Sequence, residues 1–127
     1  MKPIIFVILF FISTLPAVAL PTGLECPGVK VIIRPPLKEH WNSPHFDKGE
    51  NSIVLITDYM NKLSDVAQKF IFYHECGHAQ GIRNETLADK FAYQRTKDEL
   101  TETIKQEICK DHGEADRCYA LLRNYRK

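Results

Sequence analysis

His74-Glu75-Cys76-Gly77-His78 places two histidines one helical turn apart with a glutamate between them, and these are the residues of the chain best suited to chemistry. On a helix, positions i and i+4 project from one face, so each imidazole can offer a nitrogen to one metal ion without backbone strain. Glu75 sits about 100° around from His74 and closer to the direction of His78, within reach of a water on that metal but outside the ligand set. Cys76, two residues past His74, points to the other side of the helix, which suits burial or a disulfide. Catalytic zinc takes three protein ligands and keeps a position open for water, so the pattern calls for a third ligand elsewhere. Glu85 and Asp89 follow at once and are the candidates.

The elements that must position these groups can be read from the pattern around them. Leu63, Val66, Ala67, Phe70, Ile71 and His74 recur at three- and four-residue steps, which predicts a helix from about Lys62 to Gln80, capped by Asn61 or Ser64 and ended by Gly81. Asn84 is a good N-cap for a second helix running through Leu87 and Phe91. With so short a connection the two helices double back side by side. Glu85 then faces His78 and Asp89 lies beside His74. That arrangement permits Glu85 as the ligand with Asp89 accepting a histidine N–H, or the reverse. Phe70, Ile71 and Phe72 make the first helix apolar just before the motif, unlike a purely solvated face carrying ordinary ion pairs.

Upstream, Val29–Arg34 and Asn51–Ile56 are rich in β-branched residues and predict two short strands, the second able to bind an extended peptide if it forms a sheet edge near the motif helix. The segment between them carries three prolines from Pro35 onward and no period, so it reads as a loop. His40, Trp41, His45 and Phe46 in that loop could line a cleft or cover an edge of the core. Leu100, Ile104 and Ile108 mark a third helical face, and Tyr119, Leu122 and Tyr125 a fourth. The fold class is α+β, short N-terminal strands followed by about four packed helices.

The first 19 residues read as a secretory signal: one lysine, an apolar run too short to span a bilayer, and Ala17-Val18-Ala19 at its end. Residues 20–127 then form one domain of an exported protein, secreted or periplasmic. Loss of Lys2 with the signal takes the 17 basic residues to 16, against 16 acidic. That balance gives no basic excess to attract nucleic acid or an anionic membrane. Cys26, Cys76, Cys109 and Cys118 make an even set suited to an oxidising compartment; Cys109 with Cys118 brackets a short turn, leaving Cys26 with Cys76. Asn84-Glu85-Thr86 also matches a glycosylation sequon, but a glycan there would crowd the cap and the histidines.

His74-Glu75-Cys76-Gly77-His78 followed by Asn84-Glu85-Thr86-Leu87-Ala88-Asp89 resembles the gluzincin metallopeptidases of the thermolysin type, whose second motif is Asn-Glu-x-x-x-Asp. It is nearer still to small exported zinc-peptidase-like proteins with H-E-C-x-H followed by E-x-x-A-D. The resemblance covers about Ile53 to Tyr93. It implies a minimal zincin-like domain, one Zn²⁺ held by His74, His78 and Glu85, Glu75 as general base, Asp89 as support for His74, and a peptide or protein as substrate. The connection between the motifs is far shorter than in thermolysin. No counterpart of the downstream histidine or tyrosine that stabilises the oxyanion there can be assigned, and Tyr73, Tyr93 and His112 remain equal candidates. The expected function is zinc-dependent peptide hydrolysis. The alternative is an exported binding module that keeps the zinc but has lost turnover, and oligomeric state is left open.

Overall fold

The computed structural model describes residues 20–111. Within them the order is β1 (Lys30–Arg34), β2 (His45–Asp47), β3 (Ser52–Ile56), α1 (Thr57–Met60), α2 (Asp65–Ala79), α3 (Glu85–Thr96) and α4 (Glu102–Asp111), an α+β arrangement. Tyr119, Leu122 and Tyr125, expected on a further helix, lie outside the described residues, as do His112 and the signal segment.

The sheet order is β1-β3-β2, with β1 parallel and β2 antiparallel to β3. β3 is therefore the central strand, not an edge, and its backbone is committed on both sides; the expectation that it could receive an extended peptide is corrected on that ground. All five of its residues are buried, the polar Ser52 together with the apolar run 53–56, as befits a central strand. The outer strand β2 is only three residues long and lies within the proline-rich segment, where no alternation announces it.

Ile53 and Leu55 of β3 meet Phe70, Ile71, Phe72 and Cys76 of α2, joined by Ala92 of α3 and Ile108 of α4, in one hydrophobic core. α2 starts later than the periodicity suggests. Ser64 caps it, its Oγ accepting from the Ala67 N–H, while Glu107 of α4 takes both the Ser64 N–H at 2.7 Å and the Ser64 hydroxyl at 2.8 Å. The residues before Ser64 form the end of α1 and a turn, to which the buried Gln68 amide donates at Met60 O and Leu63 O. α2 and α3 approach closely at Gly77, where an added Cβ would already touch the Phe91 ring at 3.4 Å.

A disulfide joins Cys26 to Cys76 across 50 residues. It ties the segment before β1 to the core-facing side of α2, away from the face that carries His74 and His78. The other expected pairing has Cys109 buried in α4 and Cys118 outside the described residues. Closing the loop between Cys26 and Cys76, 50 residues apart, removes about 4 kcal/mol of unfolded-chain entropy at 25 °C. The Cys26→Ser, Cys76→Ser protein is accordingly expected to melt well below wild type. Calorimetry checks this, and an unchanged melting temperature would refute the expected stabilisation.

Candidate metal centre

The connection between α2 and α3 sets the geometry of the site. Gly81, at φ +100°, occupies a backbone region open essentially to glycine, and it ends α2 in a double hydrogen bond: Gly81 N–H to His78 O, and Ile82 N–H to Gly77 O, both 3.0 Å. This closure turns the chain sharply enough for Asn84 to cap α3 through the Leu87 N–H (3.0 Å), only a few residues on. Glu85, in the first turn of α3, is thereby brought opposite both histidines. Its carboxylate oxygens lie 3.0 Å from His74 Nε2 and 3.0 Å from His78 Nε2, and the two Nε2 atoms are 3.1 Å apart.

The outer ring nitrogens decide what those inner atoms are. His78 Nδ1 lies 2.6 Å from the Ile82 carbonyl, which can only accept, so Nδ1 carries the proton. His74 Nδ1 lies 2.6 Å from the Asp89 carboxylate, itself buried, and donates to it likewise. In the neutral rings both Nε2 atoms are then lone pairs. They face one another and a carboxylate at hydrogen-bond distance with no proton of their own, an arrangement satisfied by a cation or by added protons. For ligand distances of about 2.0–2.1 Å, two ligands of a tetrahedral ion stand about 3.3 Å apart, within a few tenths of the spacing found. His74, His78 and Glu85 are thus a cluster that could hold a metal ion. Asp89 stands behind His74, on the nitrogen that faces away from the cluster.

Glu75 is buried with its carboxylate 3.9 Å from His74 Nε2. Burial pushes its pKa up to about 7; the His74 charge and a hydrogen bond from the Phe46 amide act against the rise, and the Glu85 and Asp89 charges add to it. For His74 burial acts downward, but the Asp89 hydrogen bond with the charges of Glu75, Asp89 and Glu85 outweighs it and raises the pKa.

These groups open onto a cleft of about 1040 Å³ between the start of α3, the outer face of α2 and the segment around β2. Trp41, His45 and Phe46 line it, along with Tyr59, Lys48 and Arg83. Of the loop residues anticipated there, His40 is not part of the lining. Of the oxyanion candidates read from the sequence, Tyr73 and Tyr93 pack against the core and do not line the cleft, and His112 lies outside the described residues. The residue that sequence reasoning missed outright is Ile82, whose contribution is a backbone carbonyl. The glycine that positions it was the only available signal. In comparisons with known proteins the chain matches no family model, no curated protein and no solved structure.

Two outcomes are expected. A side chain at φ +100° is strained, so Gly81→Ala should destabilise the protein by about 1–2 kcal/mol. By moving the Ile82 carbonyl it should also weaken metal binding about 10-fold or more, whereas an effect on melting alone would show that the carbonyl does not matter. The second concerns pH. The folded-state pKa of Glu75 lies above its unfolded value, so its contribution to metal-free stability is intact below about pH 4.5 and lost as pH rises through about 7. His74, also raised, acts in the same direction. Metal-free Glu75→Gln should therefore gain on metal-free wild type between pH 5 and pH 8, by on the order of 3 kcal/mol. Denaturant titrations at several pH values measure this, and parallel curves for the two proteins would refute it.

Proposed function

We propose that the protein is an exported zinc-dependent peptidase, with His74, His78 and Glu85 holding the metal and Glu75 acting as general base. The observation that carries the reading is the convergence of two imidazole lone pairs and a carboxylate whose tautomers are dictated from behind, with a buried carboxylate beside them at the cleft. A site that only stored metal has no evident use for Glu75. The donor set, two imidazoles and one carboxylate, matches that of catalytic zinc sites in metallopeptidases. Bound there, zinc would supply Lewis acidity, polarising a peptide carbonyl and acidifying water.

The chain's own groups do the rest. The Phe46 amide fixes the direction of the Glu75 carboxylate, and burial keeps its basicity near neutrality, so it can take a proton from water in the cleft and return it to the departing amine. Asp89 and the Ile82 carbonyl keep both histidines in the tautomer that leaves Nε2 free, and hold the rings still while the substrate binds. Resemblance to the gluzincin motif pair supports the same roles. The Cys26–Cys76 disulfide is compatible with an oxidising compartment. Within the described residues no helix is long and apolar enough to cross a membrane.

Glu75→Gln keeps the size of the side chain and removes its basicity. It is expected to retain one zinc per chain and the wild-type fold, with turnover reduced by about 10²- to 10⁴-fold. Hydrolysis of a peptide library, measured beside metal content, is the test. Tight zinc binding by a wild-type protein that cleaves nothing would put the binding module in place of the peptidase.

A further inference from the structure

We propose that Trp41 and His45 form the specificity-determining shelf of the cleft, receiving a neutral aromatic side chain of an extended peptide beside the metal-binding cluster; the assignment of a peptide rests on the peptidase reading above. Trp41 is 69% exposed, the largest apolar side chain left in solvent among the described residues, yet it lines the cleft. One face of the indole is stacked on the His45 ring, with centroids 5.0 Å apart and planes within 3°.

The loop that presents it is built to keep it there. Arg34 donates to the Trp41 carbonyl at 2.7 Å and to Asn42 Oδ1 at 3.2 Å. Asn42 in turn bridges the Leu37 backbone, accepting its N–H at 2.9 Å and donating to its carbonyl at 3.0 Å. His45 is held from below, its Nδ1 2.8 Å from the Ser43 carbonyl. A loop stiffened at both ends of its turn, with a bare indole at the tip, loses little entropy when it binds, which is the property of an aromatic anchor. The strand that follows, β2, carries both His45 and the Phe46 amide that orients Glu75, so one half of the shelf and the group that directs the general base share one short element.

An indole face attracts cations as well as aromatic rings, and Lys48 and Arg83 line the cleft together with Glu75 and Glu85, so the charges of the lining balance and favour no charged side chain. Stacking and apolar burial remain as the favourable contributions, and both are largest for phenylalanine, tyrosine or tryptophan.

Trp41 is the only tryptophan in the chain, so its emission reports on the shelf directly. Two blocked hexapeptides differing at one residue, phenylalanine or alanine, are compared. With zinc-loaded wild type, kcat/KM should favour the phenylalanine peptide by about 10-fold or more. Trp41→Ala should bring that ratio close to one while keeping one zinc per chain, and Trp41→Phe should restore most of it. In zinc-loaded Glu75→Gln, where turnover is suppressed, the phenylalanine peptide should shift Trp41 emission saturably and the alanine peptide should not. A Trp41→Ala protein that keeps the wild-type ratio overturns the proposal, as does Trp41 emission that neither peptide moves. If wild type hydrolyses neither peptide but the phenylalanine peptide still shifts the emission, the peptidase reading fails and the shelf stands.

Discussion

The hydrogen bond from His78 to the Ile82 carbonyl, with its counterpart from His74 to Asp89, is the constraint on which the site depends. Each outer nitrogen faces an acceptor, so each inner nitrogen is left as one. Two histidines and a glutamate brought together without that backing could pair among themselves, an imidazole N–H donating to its neighbour, and would be an ordinary polar cluster. With the backing, the mutual pairing is closed off in the neutral state and the cluster demands positive charge. The demand comes from one backbone atom and one buried carboxylate, neither of them in the cluster itself.

That carbonyl owes its place to the way α2 ends. The Gly81 closure turns the chain so tightly that the third member of the cluster arrives seven residues after His78, at the first turn of the next helix. The shortness of the connection, which departs from the thermolysin pattern, thereby has a physical use: the turn that carries the chain back is also the acceptor that fixes a ring. Gly77 has a related part, since it lets Phe91 lie against α2 and so brings α3 near enough for Asp89 to reach His74.

What the sequence made legible follows from where local chemistry dominates. The Asn84 cap and the Gly81 stop are decided within a few residues of themselves, and the helix periodicity is strong, whereas Asn61 and Ser64 stayed alternatives because the choice of Ser64 depends on the distant Glu107. Once those boundaries are known, i and i+4 geometry places His74 and His78 together and a short connection brings Glu85 and Asp89 alongside. β2 was hidden because three residues carry no periodicity and its pairing partner lies beyond a turn. The position of β3 as the central strand was hidden for the same reason: sheet order is a matter of non-local pairing, and an apolar run of four residues fits an edge or a centre equally well before its neighbours are known. Ile82 could not be found by residue type, because any residue but one that distorts the turn offers the same carbonyl. The exposure of Trp41 lay equally outside reach, since an aromatic residue in a loop covers the core or faces a cleft according to contacts made elsewhere.

The arrangement also sets a balance between site and fold. Bringing Glu75, Glu85 and Asp89 close together, two of them buried, works against the metal-free folded state at neutral pH, by on the order of a few kcal/mol for Glu75 alone. A domain of this size has only about 5–10 kcal/mol of net stability to lose. The compensating features lie elsewhere on the same helix. The disulfide to Cys26 and the Phe72 ring hold α2 from the face opposite the histidines, Phe70 packs with Ile53 in the core one turn before His74, and Glu107 fixes the N-terminus from α4. A metal ion at the cluster would relieve the repulsion directly, since its charge favours the ionised carboxylates and the neutral imidazoles that hold it. Metal binding at the cluster would therefore be coupled to folding through α2, with the disulfide limiting the loss on metal removal.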